Sequence, residues 1–365
     1  MLPIELGWSM DGRTGWGIFA QHLALGLARQ GRRVHADVAD SNGIPKTLWP
    51  QLWPMGAPAD TSERRIRFDP YGNHAPKFVE IPNRYRVLLA VFEDTDAIDV
   101  EQMSKYDLIL SPSRWVQDLL AAKGLESTLF HQGFDDSLFF PAPKRRSDDR
   151  FMIFSGGKLE FRKGQDIVVE AFRQFLATPE GANAILVTAW QNAWPQTMAG
   201  IWESGYVKGV PEKKGNQLDI SSWLEINGIP RGNHIDLGWL SQAEMANAMR
   251  ECDVGLFPNR CEGATNLAYV EALALGLPCI SSLNTGQEDV QPRQFFNCVL
   301  QPPVTLPCAL YRGMDGWGET DPKECADHLA YLVTRRGTFS KDMSDWTWRA
   351  RTDDLHQLLT ERADG

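Results

Sequence analysis

The chain has 365 residues, 43% hydrophobic and 23% charged, an ordinary globular composition with apolar material for two domains of common size. Its 37 basic and 47 acidic residues leave a net charge of −10, which argues against nonspecific nucleic-acid binding. The 6 Cys form no Cys-x-x-Cys pair, against a zinc knuckle or disulfide framework, and no apolar run reads as a signal peptide or membrane span, so a cytoplasmic protein is expected, with peripheral contact at the inner face of a membrane left open.

The first half opens as a βαβ unit, which implies a parallel sheet. A strand over 2–6 leads into a glycine-rich loop, Asp11-Gly12-Arg13-Thr14-Gly15-Trp16-Gly17, then a helix over 18–30 ended by Gly31, then a strand over 34–38. Glycine in such a loop permits close backbone approach to a ligand. Further strands are expected over 85–92 and 107–111, with Ser113 capping a helix to 122 and a short strand over 127–131. The run 141–150, rich in proline and charge, reads as a linker.

The second half restarts the pattern. A strand over 151–155 is followed by the basic turn Gly156-Gly157-Lys158-Leu159-Glu160-Phe161-Arg162-Lys163-Gly164 and a helix over 165–176. Lys158 and Lys163 flank that turn; Arg162 between them reads as solvated. A strand over 184–188, a polar insertion over 192–233 with room for one helix, and a strand over 234–238 come next. Ser241 caps a helix to 251, and a strand over 253–258 precedes the most informative stretch.

That stretch begins at Cys261-Glu262-Gly263-Ala264-Thr265-Asn266 and becomes a helix over 267–275 whose one charged residue is Glu271. Leu267, Glu271 and Leu275 are spaced i, i+4, i+8, so the carboxylate lies on an apolar stripe and is costly without a partner. Gly276 and Pro278 stop the helix. A loop feeding a helix start aims backbone N–H groups at whatever sits there, which suits a phosphate. A strand over 279–282, an irregular run over 301–320, and helices over 322–335 and 346–361 complete the chain.

These residues resemble the nucleotide-sugar signature of retaining glycosyltransferases of the GT-B type, the family-four or group 1 class. The family pattern is Glu-Gly-x-Gly-Leu-Pro and a helix with a second Glu, seven residues between the acids, with Gly-Arg-Leu, three residues and Lys-Gly upstream. Here eight residues separate Glu262 from Glu271, the extra one falling around 264–266, and Lys158 stands where the family has Arg, a point charge in place of a planar fork. The order of elements matches along nearly the whole chain.

The resemblance implies an α/β fold of two Rossmann-like domains facing each other across a cleft, the GT-B architecture: an acceptor-binding domain over 1–143, a nucleotide-sugar-binding domain over 144–345, and a last helix within 346–365 crossing back onto the first domain. It implies transfer of a hexosyl group from a nucleotide-diphosphate sugar to a hydroxyl acceptor, with retention, in glycan or glycoconjugate synthesis. The donor would meet Gly15, Gly17, Lys158, Lys163, Trp239, Glu262, Ala264, Thr265, Asn266, Leu267 and Glu271; the acceptor, saccharide or other, lipid-linked ones included, would meet Asp11, Arg13, Glu93 and Asp94. Glu93, Lys158, Lys163 and Glu262 would take part in the chemistry. Asp94-Thr95-Asp96 spells the metal-binding triplet of the other large glycosyltransferase architecture, but GT-B enzymes usually need no metal, and no cofactor beyond the donor is expected. His131, Gly133 and Asp135 read as structural. An epimerase or hydrolase on the same fold, or a non-catalytic nucleotide-sugar-binding subunit, remains the alternative.

Overall fold

The computed structural model describes residues 1–38, 43–57, 60, 62–74, 78–290, 297–298, 301–305, 308, 310–338 and 341–364. They form two compact units, one of Met1–Asp136 with Gly263–Leu267 and the segment from Asp342 onward, the other of Ser137–Glu262 and Ala268–Lys341.

The first unit is built on six parallel strands: β1 (Ile4–Leu6), β2 (Val34–His35), β3 (Arg65–Tyr71), β4 (Arg84–Ala90), β5 (Leu108–Ser111) and β6 (Thr128–Leu129), in the order β2-β1-β3-β4-β5-β6. Helix α1 (Gly15–Arg29) starts where Thr14 accepts a 3.0 Å hydrogen bond from Gly17 N. Two short helices, α2 (Trp49–Leu52) and α3 (Val100–Met103), precede α4 (Arg114–Ala122), capped by Ser113 as the sequence indicates.

Strand β3, in the middle of the sheet, has no counterpart among the expected strands. One of its faces is apolar and fully buried, Ile66 and Phe68. The other carries Arg65, Arg67 and Asp69 beside Arg84 and Arg86 of β4. Those charges pair among themselves: Asp69 accepts from Arg67 Nε and Arg86 Nε, both at 2.9 Å, and Glu5 accepts from Arg84 Nε at 3.0 Å and also from Arg67. An alternation of charge with apolar residues, broken by Pro70, looks like surface loop until its partners on β1 and β4 are known.

The second unit has β7 (Met152–Gly156), β8 (Ile185–Ala189), a small hairpin β9 (Lys213–Lys214) and β10 (Gln217–Leu218), then β11 (His234–Asp236), β12 (Val254–Phe257), β13 (Cys279–Ser282) and β14 (Asn297–Cys298). Its main sheet is parallel, ordered β11-β8-β7-β12-β13-β14. Every residue of β7, β8, β12 and β13 is buried, the pattern of strands covered on both faces. Helices α5 (Gln165–Leu176), α6 (Ile220–Ile226, the one helix of the insertion), α7 (Gln242–Arg250), α8 (Leu267–Ala274) and α9 (Pro322–Val333) follow the expected places. Ser241 and Glu244 close a capping box at the start of α7.

The expected boundary after residue 143 moves back to 136, because the linker is tied to the second unit. Arg146 Nε donates to Glu251 O at 2.7 Å, Lys144 and Arg146 both pair with Asp253, and Asp253 in turn accepts from Met152 N at 2.8 Å. The expected boundary at 345 moves to 341, since the segment leading into α10 (Trp348–Arg362) already runs beside Phe134. Phe134 N donates to Trp346 O at 3.0 Å and Trp348 N to Phe134 O at 2.9 Å. Gly133 makes this possible: a Cβ there would sit 2.6 Å from Trp348 N. Helix α10 then packs on α1, with Thr352 against Gly26, Trp348 stacked on His22 at 5.3 Å, and Arg32 Nη2 paired with Asp364 at 2.8 Å.

Two predictions follow from this docking. Gly133→Ala must push Trp348 away and should lower the unfolding free energy by about 1–3 kcal/mol in urea titration; a change near zero would contradict the contact. Burial lowers the His22 imidazole from 6.5 to about 4, with Asp135 opposing. The unfolded chain therefore binds the extra proton first, so stability falls as pH drops from 6.5 towards 4, by up to roughly 1.4 kcal/mol per pH unit. His22→Gln should flatten that limb of the stability curve; an unchanged slope would count against it.

Candidate functional site

The basic turn leaves the carboxyl end of β7, where parallel sheets present ligand-binding loops. Gly157 turns the chain with φ +123, and Gly164 starts α5 with φ +68. A Cβ on Gly164 would also lie 2.3 Å from Pro258 O, so glycine is required twice over. Gln165, buried at the first position of α5, staples the turn: its Nε2 donates to Lys158 O at 2.9 Å and its Oε1 accepts from Glu160 N at 3.2 Å.

From the neighbouring β12 comes Asn259-Arg260-Cys261-Glu262. Arg260 is completely buried; its guanidinium meets Asp166 at 2.8 and 2.7 Å, Glu319 at 2.6 and 2.7 Å, and Phe161 O at 2.8 Å. Burial pulls against its charge, but the two carboxylates outweigh burial and hold the guanidinium above its ordinary value. Arg260 N and Cys261 N both donate to Arg162 O, at 2.8 and 3.2 Å. The two loops are thereby clamped to each other.

Within the clamp, the Glu262 carboxylate accepts from Lys163 Nζ at 2.5 Å, from Arg162 Nη1 at 2.9 Å, and from Asn259 Nδ2. Glu262 N donates to Thr285 Oγ1 at 2.9 Å. Glu160 takes Arg162 Nε at 2.6 Å and Lys158 Nζ at 2.7 Å. Burial pushes the Glu262 carboxyl up, but Lys163 and Arg162 prevail and it ends below its ordinary value. Burial draws the Lys163 ammonium below its ordinary value, with Glu262 opposing. Arg162 is buried and paired to two carboxylates, which corrects its reading as a solvated residue.

The five residues that follow Glu262 cluster with the first unit. Gly263 O accepts from Ser113 Oγ at 2.8 Å, and a Cβ on Gly263 would lie 2.3 Å from Phe92 O. Ala264 and Asn266 are buried, and Asn266 takes φ +59, the left-handed region that Asn tolerates better than most residues. Thr265 is fully buried, and among the described residues its hydroxyl oxygen has no hydrogen-bond partner. A buried, unmatched hydroxyl at a helix start fits an oxygen-rich ligand. Leu267 opens α8, and Glu271, one turn on, is 3% exposed. Gly276, at φ +74, ends the helix as expected.

The first unit uses several expected ligand residues for its own loops. Asp11 Oδ1 accepts from Arg13 N at 2.8 Å and Thr14 N at 2.6 Å, and Oδ2 from Thr14 Oγ1 at 2.5 Å. Gly17 is buried, and a Cβ there would lie 2.1 Å from Asp11 Oδ2, so its glycine serves the loop. Gly15 is exposed with open space at the Cβ position, and Arg13 is exposed as well. Glu93 is buried, its Oε2 accepts from Asn73 Nδ2 at 2.8 Å, and Asn73 Oδ1 in turn takes Glu93 N and Asp94 N. Asp94 accepts from Asp96 N at 3.0 Å, the bond of a loop cap. Among the described residues no three His, Cys, Asp or Glu side chains converge as a metal site would require. His131 stacks on Trp346 at 4.8 Å, and Trp239 lies half-buried after β11 in the second unit.

Sequence pattern alone misses Glu160, Asp166, Asn259, Arg260, Thr285 and Asn73. The available signal was Asn259-Arg260 at the end of a wholly apolar strand, where two polar residues need buried partners.

Residues 136–294 match the family model of glycosyl transferases group 1. A sequence comparison with curated proteins gives no match. Among solved structures, the chain resembles a sucrose-phosphate synthase from Thermosynechococcus elongatus, at 15% identity and TM-score 0.58 over 99% of each chain. It also resembles Anabaena HepE in complex with UDP and glucose, at 13% identity and TM-score 0.57 over 99% of this chain and 95% of that one. A glycosyltransferase involved in avilamycin A biosynthesis matches at 14% identity and TM-score 0.58 over 100% and 99%. At such identities the likeness speaks for the fold, which is GT-B.

Glu262→Gln would leave Lys163 and Arg162 facing a neutral amide. It should cost about 3–5 kcal/mol of unfolding free energy at neutral pH, the cost of breaking a buried pair. Because the carboxyl is depressed, its contribution is present above the ordinary carboxylate range and is lost as pH falls through its folded value. Urea titration across pH 2–7 checks both: the variant should lose less than wild type on the acid limb, and equal curves would contradict the clamp.

Proposed function

For a chain that carries a group 1 glycosyltransferase domain on the GT-B fold, we propose hexosyl transfer from a nucleoside-diphosphate sugar to a hydroxyl acceptor, with retention of anomeric configuration, in glycan or glycoconjugate synthesis. The observation that carries this reading is the gathering of three cations, Lys158, Arg162 and Lys163, on the loop after β7, around Glu160 and Glu262. Counted with Arg260, Asp166 and Glu319 the clamp is neutral, so a diphosphate would be held by taking the place of a carboxylate on the lysines.

In this reading the diphosphate lies against Lys163 and Lys158 and takes N–H groups from Ala264 to Leu267, with the Thr265 hydroxyl as a further donor. Glu262 turns to a hydroxyl of the hexosyl group, Glu271 holds the ribose, and Trp239 meets the base. The C1–O bond to the β-phosphate breaks while C1 bonds to the acceptor oxygen on the same face. The acceptor proton passes to the departing phosphate, whose charge the two ammonium groups stabilise. Gly15 and Glu93 of the first unit hold the acceptor. The reaction runs without a metal ion. UDP-hexose is the donor to test first, since Anabaena HepE, of the same fold, was solved with UDP and glucose. No helix among the described residues is long and apolar enough to cross a membrane. We place the reaction in the cytoplasm, with lipid-linked saccharides among the acceptors to try.

Lys163→Ala should lower kcat by on the order of 10²-fold, with circular dichroism reporting a retained fold and the melting temperature lowered by the loss of one partner of Glu262. UDP-hexose should raise the melting temperature of wild type, with or without EDTA, and not that of Glu271→Ala. Full turnover in Lys163→Ala, or loss of activity with EDTA, would contradict the mechanism.

A further inference from the structure

The insertion over 192–233 meets the basic turn at Asn192 and Trp194. Asn192, 6% exposed, donates from Nδ2 to Leu159 O at 2.7 Å and to Thr197 Oγ1 at 2.8 Å, and its Oδ1 accepts from Trp194 N at 2.7 Å. Thr197 closes the segment, its N and its hydroxyl each donating to Trp194 O at 2.9 Å. Trp194 is fixed at the backbone while its side chain stays out: the residue is 46% exposed, unusual for a tryptophan held this firmly. Its ring lies 5.5 Å from Lys158 Nζ, within cation–π range.

We propose that Trp194 is a positioning residue for Lys158, and through it a determinant of donor affinity; this rests on the glycosyltransferase reading above. Lys158 stands where the family has arginine, and a flexible ammonium lacks the preorganised fork of a guanidinium. Among the described residues, Glu160 and Trp194 meet its ammonium. Glu160 attracts it but also neutralises it, and that carboxylate is shared with Arg162. The indole attracts it by its ring quadrupole and adds no charge, so it restricts the ammonium without neutralising it further. Gln165 on one side and Asn192 on the other hold the backbone of residues 158 and 159, so ring and ammonium are referred to one rigid turn.

The test is a double-mutant cycle on wild type, Trp194→Ala, Lys158→Ala and the double variant, with Trp194→Phe as the conservative replacement. UDP affinity by calorimetry and transfer from UDP-hexose are the readouts. Trp194→Ala should weaken UDP roughly two- to thirtyfold and raise the donor KM while kcat holds, Trp194→Phe should recover most of the loss, and Trp194→Ala should add nothing once Lys158 is Ala. Wild-type affinity in Trp194→Ala, or the same loss in both Lys158 backgrounds, overturns the inference. If wild type binds UDP but transfers nothing, the functional reading fails while the affinity cycle still decides the role of Trp194. If wild type binds neither UDP nor GDP, both fail.

Discussion

The second unit's site depends on one buried carboxylate. Glu262 ends the loop after β12, and Lys163 and Arg162 belong to the loop after β7, the adjacent strand. Burying any of the three alone would be costly; together they offset one another and bring two crossover loops into one structure. Arg260 does the same beneath them, linking Asp166 of α5 to Glu319 and the Phe161 carbonyl. Charge that is expensive to bury is thus concentrated where a charged ligand is expected, and each ion's partner is set by the strand order.

The first unit solves a similar problem away from that clamp. The arginines of β3 and β4 pair with Glu5 and Asp69 on the same face, and the apolar face goes to the core. The C-terminal segment then closes the unit by pairing along Phe134 and packing α10 on α1. Gly26 and Gly133 are small because Thr352 and Trp348 occupy the space a side chain would need. Both contacts join residues more than two hundred positions apart in sequence, so neither glycine announces its role locally.

Much of the fold was legible because strands such as β7, β8 and β12 are short, mostly apolar runs and the helices carry ordinary caps, as at Ser113 and Ser241. Strand β3 was not, because periodicity counts apolar residues and its second face is held by ion pairs. The contact units divide after Asp136 and Lys341, which composition does not show, because proline and charge mark a linker and not which unit its lysines and arginines bind. The signature acids and the flanking lysines were legible by resemblance. Arg162 and Arg260 were not: a charged residue in a turn looks solvated until its partner a hundred residues away is placed beside it. Asp11 and Asp94 differ in the opposite sense: loop carboxylates that look open in sequence accept hydrogen bonds from their own backbone.

The most direct measurement is a crystal structure with an unhydrolysable UDP-hexose analogue bound. The account predicts diphosphate oxygens within hydrogen-bond reach of Lys163 Nζ and of the Thr265 hydroxyl, with Glu262 turned from Lys163 towards the sugar. A nucleotide bound with its diphosphate away from both residues, and the Lys163–Glu262 pair undisturbed, would contradict it.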